Sequence, residues 1–286
     1  MKLGYLTDYS QKEVEFAAKA GFECLSLFIP ITTVENEKPE YWKRVVDECR
    51  GKNIAISALA AYFDHLNPDE TKRKRENKAF IKIMEIAGKY GIDVVATNTW
   101  GDRDKTVEQN IPGYKQVFGE YAKAANANGV KIAMENCPHF GGYPMKIGNI
   151  SYAPETWEML FDAVPDKAIG LEYDPSHLVW LFVDYLKAAR DFISRIYHIH
   201  AKDTEIFRDK LAKKSILGQG WWRYRLPGMG EVNWTELFRM FKDRGYKGGI
   251  VIEHEDPLYE GEKRNDGLKI GLRNLKTARE ESGWTS

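Results

Sequence analysis

TKRKRENKAFIKIMEIAGKYGIDVVAT, residues 71–97, carries two periodicities in succession. From Thr71 to Tyr90 the apolar residues Phe80, Ile83, Met84 and Ala87 return every three or four positions, the spacing of one face of an α-helix. Gly91 follows, the residue type that closes helices because it adopts the left-handed conformation without a Cβ clash. Val94–Thr97 is then a short run, apolar but for the Thr97 hydroxyl and too uniform for a strand with one face in water. A helix that stops at glycine and hands over to a buried strand is half of a βα repeat.

Outward from this stretch the unit recurs along the chain. Further strands are expected at Lys2–Leu6, Cys24–Phe28, Ile54–Leu59, Lys131–Glu135, Ile169–Tyr173, Ile196–His200 and Gly249–Glu253. Helical periodicity fills the intervals, as in Ser10–Ala20 before Gly21. Pro154 suits the first turn of the helix containing Trp157 and Leu160, and Asn233 suits the cap of a helix over Trp234–Arg244. Eight such units without a composition break predict one (β/α)8 TIM barrel, a single domain spanning residues 1–286. A doubly wound sheet would want a glycine-rich turn after its first strand, where this chain has Thr7, Asp8 and Tyr9. Asp203 to Glu231 is expected as a long irregular connection, and loops of that length usually carry function.

Composition narrows the partners. The 42 basic residues balance 42 acidic ones, which leaves no overall field to gather nucleic acid or an anionic membrane surface. No leader-like apolar segment opens the sequence and no run is long enough to span a bilayer, so a cytoplasmic protein is expected. Cys24, Cys49 and Cys137 are an odd count without CxxC spacing, as in a reducing compartment, and Cys137 lacks a nearby activating base.

Chemistry gathers where the later strands end, the face on which such barrels build their sites. The fifth expected strand runs into Glu135-Asn136-Cys137-Pro138, the sixth into Asp174-Pro175-Ser176-His177, the seventh into His200-Ala201-Lys202-Asp203 and the eighth into Glu253-His254-Glu255-Asp256. A lone carboxylate at a strand end is ordinarily a helix cap or half of an ion pair. Glu135, Asp174 and Glu253 at one mouth are different, because partly desolvated carboxylates together require a counter-charge. A divalent cation supplies it, and three carboxylates with the imidazole of His200 suit Mn²⁺ first, with Mg²⁺, Co²⁺ or Zn²⁺ as alternatives. His177, three residues after Asp174, is expected to face the same pocket and bind substrate. Of His198 and His200, one is expected to point inward and the other to support it from behind, with Lys202 and Asp203 also in that outer ring. His65 and His139 lie in expected loops without a motif.

The strings ENCP, YDPSHLVW, HIHAKD, GWWRYRLPGMGEVNW and IEHED together resemble the sugar phosphate isomerase/epimerase family, the xylose isomerase-like TIM barrels. The likeness runs from the first strand to the last. It implies a divalent ion, often Mn²⁺, on Glu135, Asp174, His200 and Glu253, with the two glutamates as the catalytic acid and base. It further implies that His177 and either Arg223 or Arg225 hold substrate oxygens; Trp222 and Trp100 are added as stacking surface for a sugar ring. The expected substrate is a small sugar, and the family's habits imply a homodimer or homotetramer.

The chemistry implied is proton removal beside a carbonyl, leading to isomerisation or epimerisation of a keto-sugar or related polyol. The competing outcome is a lyase or dehydratase of a keto-sugar or inosose, including elimination from a 3-keto-glycoside. An endonuclease IV-like nuclease fits poorly with balanced charge and six histidines.

Overall fold

A computed structural model of the chain describes residues 1–138 and 148–284. In chain order its elements are β1 (Lys2–Asp8), α1 (Gln11–Ala20), β2 (Cys24–Phe28), α2 (Ile31–Asn36), α3 (Pro39–Gly51), β3 (Ala55–Ala60), α4 (Glu70–Tyr90), β4 (Val94–Thr97), α5 (Val107–Asn128) and β5 (Lys131–Glu135). There follow α6 (Pro154–Ala163), β6 (Ile169–Tyr173), α7 (Pro175–Trp180), α8 (Tyr185–Phe192), β7 (Ile196–Ala201), β8 (Asp203–Ile206), α9 (Arg208–Lys214), β9 (Trp222–Arg225), α10 (Trp234–Asp243), β10 (Gly249–Ile252) and α11 (Arg264–Glu281). Eight strands close into a barrel in the order β1-β10-β7-β6-β5-β4-β3-β2, every pair parallel. The expected (β/α)8 architecture is therefore the observed one. All eight expected strands are present, four with ends moved by one or two residues.

Caps and closing glycines set several helix ends, Gly21, Gly91 and Asn233 as read in the sequence. Ser10 caps α1 by accepting from Glu13 N, Asp69 caps α4 through Thr71 N and Lys72 N, and Asn233 caps α10 through Glu236 N. Gly21 and Gly91 close α1 and α4 at φ of 81° and 71°. Between barrel and helices the core is dense with fully buried aromatics, among them Phe80, Phe118, Trp157, Phe238 and Phe241. Among the described residues no helix is long and apolar enough to cross a membrane.

The segment from Asp203 to Glu231 is only partly irregular, where the sequence reading expected an irregular connection throughout. Strands β8 and β9 pair antiparallel as a separate hairpin, with α9 in its connection. Their sequences, DTEI and WRYR, lack the apolar runs that mark barrel strands, and the pairing is held by charge: Glu205 stands opposite Arg223 in register. Gly230 lets the returning chain pass close by, since a Cβ there would sit 2.3 Å from Asp203 Oδ1 and 2.4 Å from the Thr204 carbonyl.

Candidate metal centre

Strand register sets the site. Glu135 at the end of β5 lies level with Glu172 on β6, and Glu172 lies level with His198 on β7. Asp174 follows β6 and caps α7 through Ser176 N at 2.8 Å, while Glu253 is the first residue after β10. The strands thus bring Glu135, Asp174 and Glu253 together at one mouth. Ligand atoms of these three and of His177 all lie within 4.8 Å of one another. His200 stands beside them with Nδ1 3.0 Å from Glu135 Oε1 and 3.3 Å from Glu253 Oε2. Its Nε2 points the other way, 3.1 Å from Glu172 Oε1.

His198 and His200 both face the barrel interior, as residues two apart on a strand must. The sequence reading had turned only one of them inward. His198 gives its Nδ1 to Glu172 Oε1 at 2.7 Å and meets Ser57 Oγ through Nε2 at 3.0 Å. Gly249 makes room for this packing, because a Cβ there would lie 2.6 Å from Ser57 Cβ and 2.9 Å from His198 Nε2.

Burial and mutual repulsion shape the charges. Burial, and then the nearby Glu253 carboxylate, push the Glu135 carboxyl up to about 8. Burial likewise lifts Asp174 to about 6, against the pull of Lys202. Glu253 goes the other way: Lys202 and His200 outweigh its burial and hold it well below the usual carboxylate range. Glu172 is held down to about 2, because the imidazoles of His200 and His198 overcome the cost of burying it. Lys202, 1% exposed, sets its ammonium against Glu253, 2.7 Å from Glu255 Oε2 and 3.2 Å from Asp174 Oδ2.

The remaining candidates line the mouth or brace it. His177 Nε2 lies 3.3 Å from Asp174 Oδ2, and its Nδ1 meets the Tyr224 hydroxyl at 2.8 Å. Trp222 stacks on Trp180 with centroids 4.7 Å apart and planes inclined by 2°. Both hairpin arginines are held by carboxylates: Arg223 by Glu205 at 2.7 Å, and Arg225 by Glu205 and Asp256 at 2.8 Å each. Asp203 accepts from the backbone N–H groups of Thr204, Gly228 and Val232 at 2.9–3.0 Å, tying the hairpin to the chain that follows it. Trp100, with the Arg103 guanidinium 4.9 Å from its ring, lines a cleft of about 630 Å³ that also includes Tyr62. A cleft of about 690 Å³ opens at the opposite end, around Lys2, Ser57 and Gly249, where strands begin. His65 is buried against Tyr121 and Thr97, and His139 lies outside the described residues.

Tyr62, and the hydrogen-bonding parts played by Glu172 and Tyr224, escaped the sequence reading. Tyr62 follows β3 and donates to Glu172 Oε2 at 2.8 Å, with His200 Nε2 3.3 Å away. A signal for Glu172 existed: a carboxylate inside the otherwise apolar run IGLEY is costly unless partnered.

A divalent ion fits these residues. Asp174 Oδ2 is buried without a well-directed hydrogen bond, and three carboxylates converge there with ligand atoms within 4.8 Å of one another. Oxygen-rich donor sets with one imidazole suit hard or borderline divalent ions.

A parallel eight-stranded barrel with carboxylates and imidazoles at the carboxyl ends of β5, β6, β7 and β10 defines a class of mouth-sited TIM barrels. The chain belongs to the xylose isomerase-like TIM barrel family, which it matches over residues 14–278. It is 26% identical to an inosose isomerase of Halalkalibacterium halodurans over 90% of this chain and 87% of that one. It is also 26% identical to an inosose dehydratase of Clostridium perfringens, over 73% and 72% of the two chains. Among solved structures it is similar to the IOLI protein with a bound zinc atom, at a TM-score of 0.72 and 19% identity with full coverage of both chains.

Proposed function

We propose that the chain is a metal-dependent enzyme that moves a proton at a carbon beside the carbonyl of a sugar or polyol, giving isomerisation or epimerisation. The observation that carries this reading is the convergence of Glu135, Asp174 and Glu253 on one buried point faced by His200 Nδ1. Glu135, Asp174, Glu253 and His200 would hold the ion, Mn²⁺ first, with Mg²⁺, Co²⁺ or Zn²⁺ as substitutes; the zinc of the IOLI protein supports a divalent ion in this fold. When bound, such an ion supplies Lewis-acid stabilisation of the negative charge that develops on oxygen as the carbon loses its proton.

The chain's own groups supply the proton transfers. The pair Glu135 and Glu253 is unequal in the metal-free protein, the proton residing on Glu135 and the charge on Glu253. One carboxylate takes the proton from the carbon and the other returns one to it, each step worth about 10²–10⁴-fold. Return to the opposite face is epimerisation. His177, braced by Tyr224, faces the same space and is placed to hold a substrate hydroxyl. Trp100 and Tyr62 line the cleft where the rest of a small sugar would lie.

The test is exchange of the substrate's carbon-bound proton in D2O, followed across a panel of keto-sugars and inososes with wild type, Glu135→Gln and Glu253→Gln. Exchange in the wild type, lost in either variant, is expected; full exchange in both variants rejects the assignment of bases.

One observation favours a second reading, a dehydratase. Lys202 places a buried ammonium beside Glu253 and Asp174, where it could protonate a departing hydroxyl after the carbon has lost its proton. The inosose dehydratase relative supports it. An ultraviolet-absorbing unsaturated ketone among the products distinguishes this outcome from epimerisation.

A further inference from the structure

We infer that Glu172 is a positioning residue, whose carboxylate fixes His200 with its proton on Nε2 and thereby aims Nδ1 at the metal centre. The inference rests on the metal centre proposed above and concerns a side chain outside it. Glu172 is fully buried in the middle of the barrel, on a strand whose other residues are apolar apart from the Tyr173 hydroxyl. Both of its oxygens are engaged: Oε1 lies 2.7 Å from His198 Nδ1 and 3.1 Å from His200 Nε2, and Oε2 accepts from the Tyr62 hydroxyl at 2.8 Å.

A carboxylate only accepts, so the two ring nitrogens that face it are the protonated ones. His198 therefore offers Nδ1–H to Glu172, with its Nε2 3.0 Å from the Ser57 hydroxyl. His200 offers Nε2–H, so Nδ1, the nitrogen that looks toward Glu135 and Glu253, is the one that gives up its proton and serves as ligand atom when an ion binds. An imidazole anchored through its far nitrogen cannot flip or change tautomer without losing that hydrogen bond, and anchors of this kind raise ligand basicity. Glu172, His198 and His200 have donor atoms close enough together to form a metal site of their own. The contact between Ser57 and His198 and the hydrogen bond from Tyr62 to Glu172 favour the anchor over that alternative, since they engage the network with no ion.

The test titrates metal-free wild type, Glu172→Gln and Glu253→Gln with Zn²⁺ and with Mn²⁺ by calorimetry. In parallel, the imidazole nitrogens of zinc-loaded, nitrogen-15 histidine-labelled wild type are read by long-range NMR correlation. The expected result is one ion per chain in the wild type, with His200 bound through Nδ1 and protonated on Nε2. Glu172→Gln should keep that stoichiometry and lose about 10- to 100-fold in affinity, with the near-ultraviolet dichroism of the metal-free protein unchanged. The wild-type NMR measurement decides the tautomer even if the variant does not fold. Zinc on His200 Nε2 would overturn the inference. So would wild-type affinity in Glu172→Gln while Glu253→Gln is weakened, a result that leaves the metal centre itself intact. Two ions in the wild type and one in Glu172→Gln would make Glu172 a ligand and overturn it as well. No ion on the wild type would reject the metal centre and the anchor together.

Discussion

Lys202 Nζ lies 3.2 Å from Asp174 Oδ2, and both side chains are buried. In the metal-free protein this ammonium is the one fixed cation within reach of Asp174, Glu253 and Glu255 together, among the described residues. Replacing it in Lys202→Met keeps much of the volume and removes the charge. Breaking a buried pair costs about 3–5 kcal/mol, and the half-exposed Glu255 places this case at the low end. The melting temperature of metal-free Lys202→Met should therefore fall, and saturating Mn²⁺ should restore part of the loss by supplying the missing positive charge. A metal-free melting temperature equal to that of the wild type would show that Lys202 does not balance the cluster.

Metal affinity should rise with pH across the neutral range. Glu135 and Asp174 are lifted to about 8 and about 6, and an ion binds only their deprotonated forms, so binding at pH 6 must displace protons that are absent at pH 8.5. Calorimetry in buffers of different ionisation enthalpy should show proton release that shrinks as pH rises. Stability of the metal-free fold should move oppositely. A carboxyl whose folded value lies above its unfolded one keeps protons that the unfolded chain gives up, so stability falls as pH climbs from about 4.5 to about 8. Binding without proton release at pH 6 would contradict the assignment of Glu135 as a ligand.

Asp203 holds three backbone N–H groups with one carboxylate, joining β8 to the segment around Gly228 and Val232. Asp203→Ala leaves two buried donors, Thr204 N and Val232 N, unsatisfied and frees the part-buried Gly228 N, each buried one costing about 1–3 kcal/mol before water enters. The expected loss of stability is about 2–4 kcal/mol on that scale, with faster hydrogen exchange confined to residues 203–232. Uniform exchange across the barrel would mean that the carboxylate braces the whole fold and not the hairpin.

The barrel was legible because its strands are mostly buried and largely apolar, while helices such as α1 and α4 advertise a cap and a closing glycine. The hairpin was not, because DTEI and WRYR are held by cross-strand charge, a pattern that reads as loop until the pairing is known. Glu135, Asp174, His200 and Glu253 could be read from their common depth at strand ends, and the structure brings them to one mouth. The position of His177 inside the carboxylate cluster, with His200 set between that cluster and Glu172, depends on side-chain directions that spacing does not encode. Arg223 and Arg225 looked like substrate-binding cations in the sequence; only the fold shows Glu205 and Asp256 already holding them.

Tyr224 offers a way to separate binding from chemistry. Its hydroxyl meets His177 Nδ1 at 2.8 Å and accepts from Trp180 Nε1 at 3.3 Å, so it joins the hairpin to the helix that carries His177. Tyr224→Phe removes the hydroxyl and keeps the ring that packs against Trp222 at 4.8 Å. If His177 holds a substrate hydroxyl in ground state and transition state alike, loosening it should raise KM with kcat little changed. One neutral hydrogen bond is worth about 0.5–1.5 kcal/mol, which sets the expected rise at about 2- to 13-fold. Steady-state kinetics on whichever sugar shows proton exchange would measure it. A fall in kcat at unchanged KM would instead place His177 among the groups that act only in the transition state, and its partner Tyr224 with it.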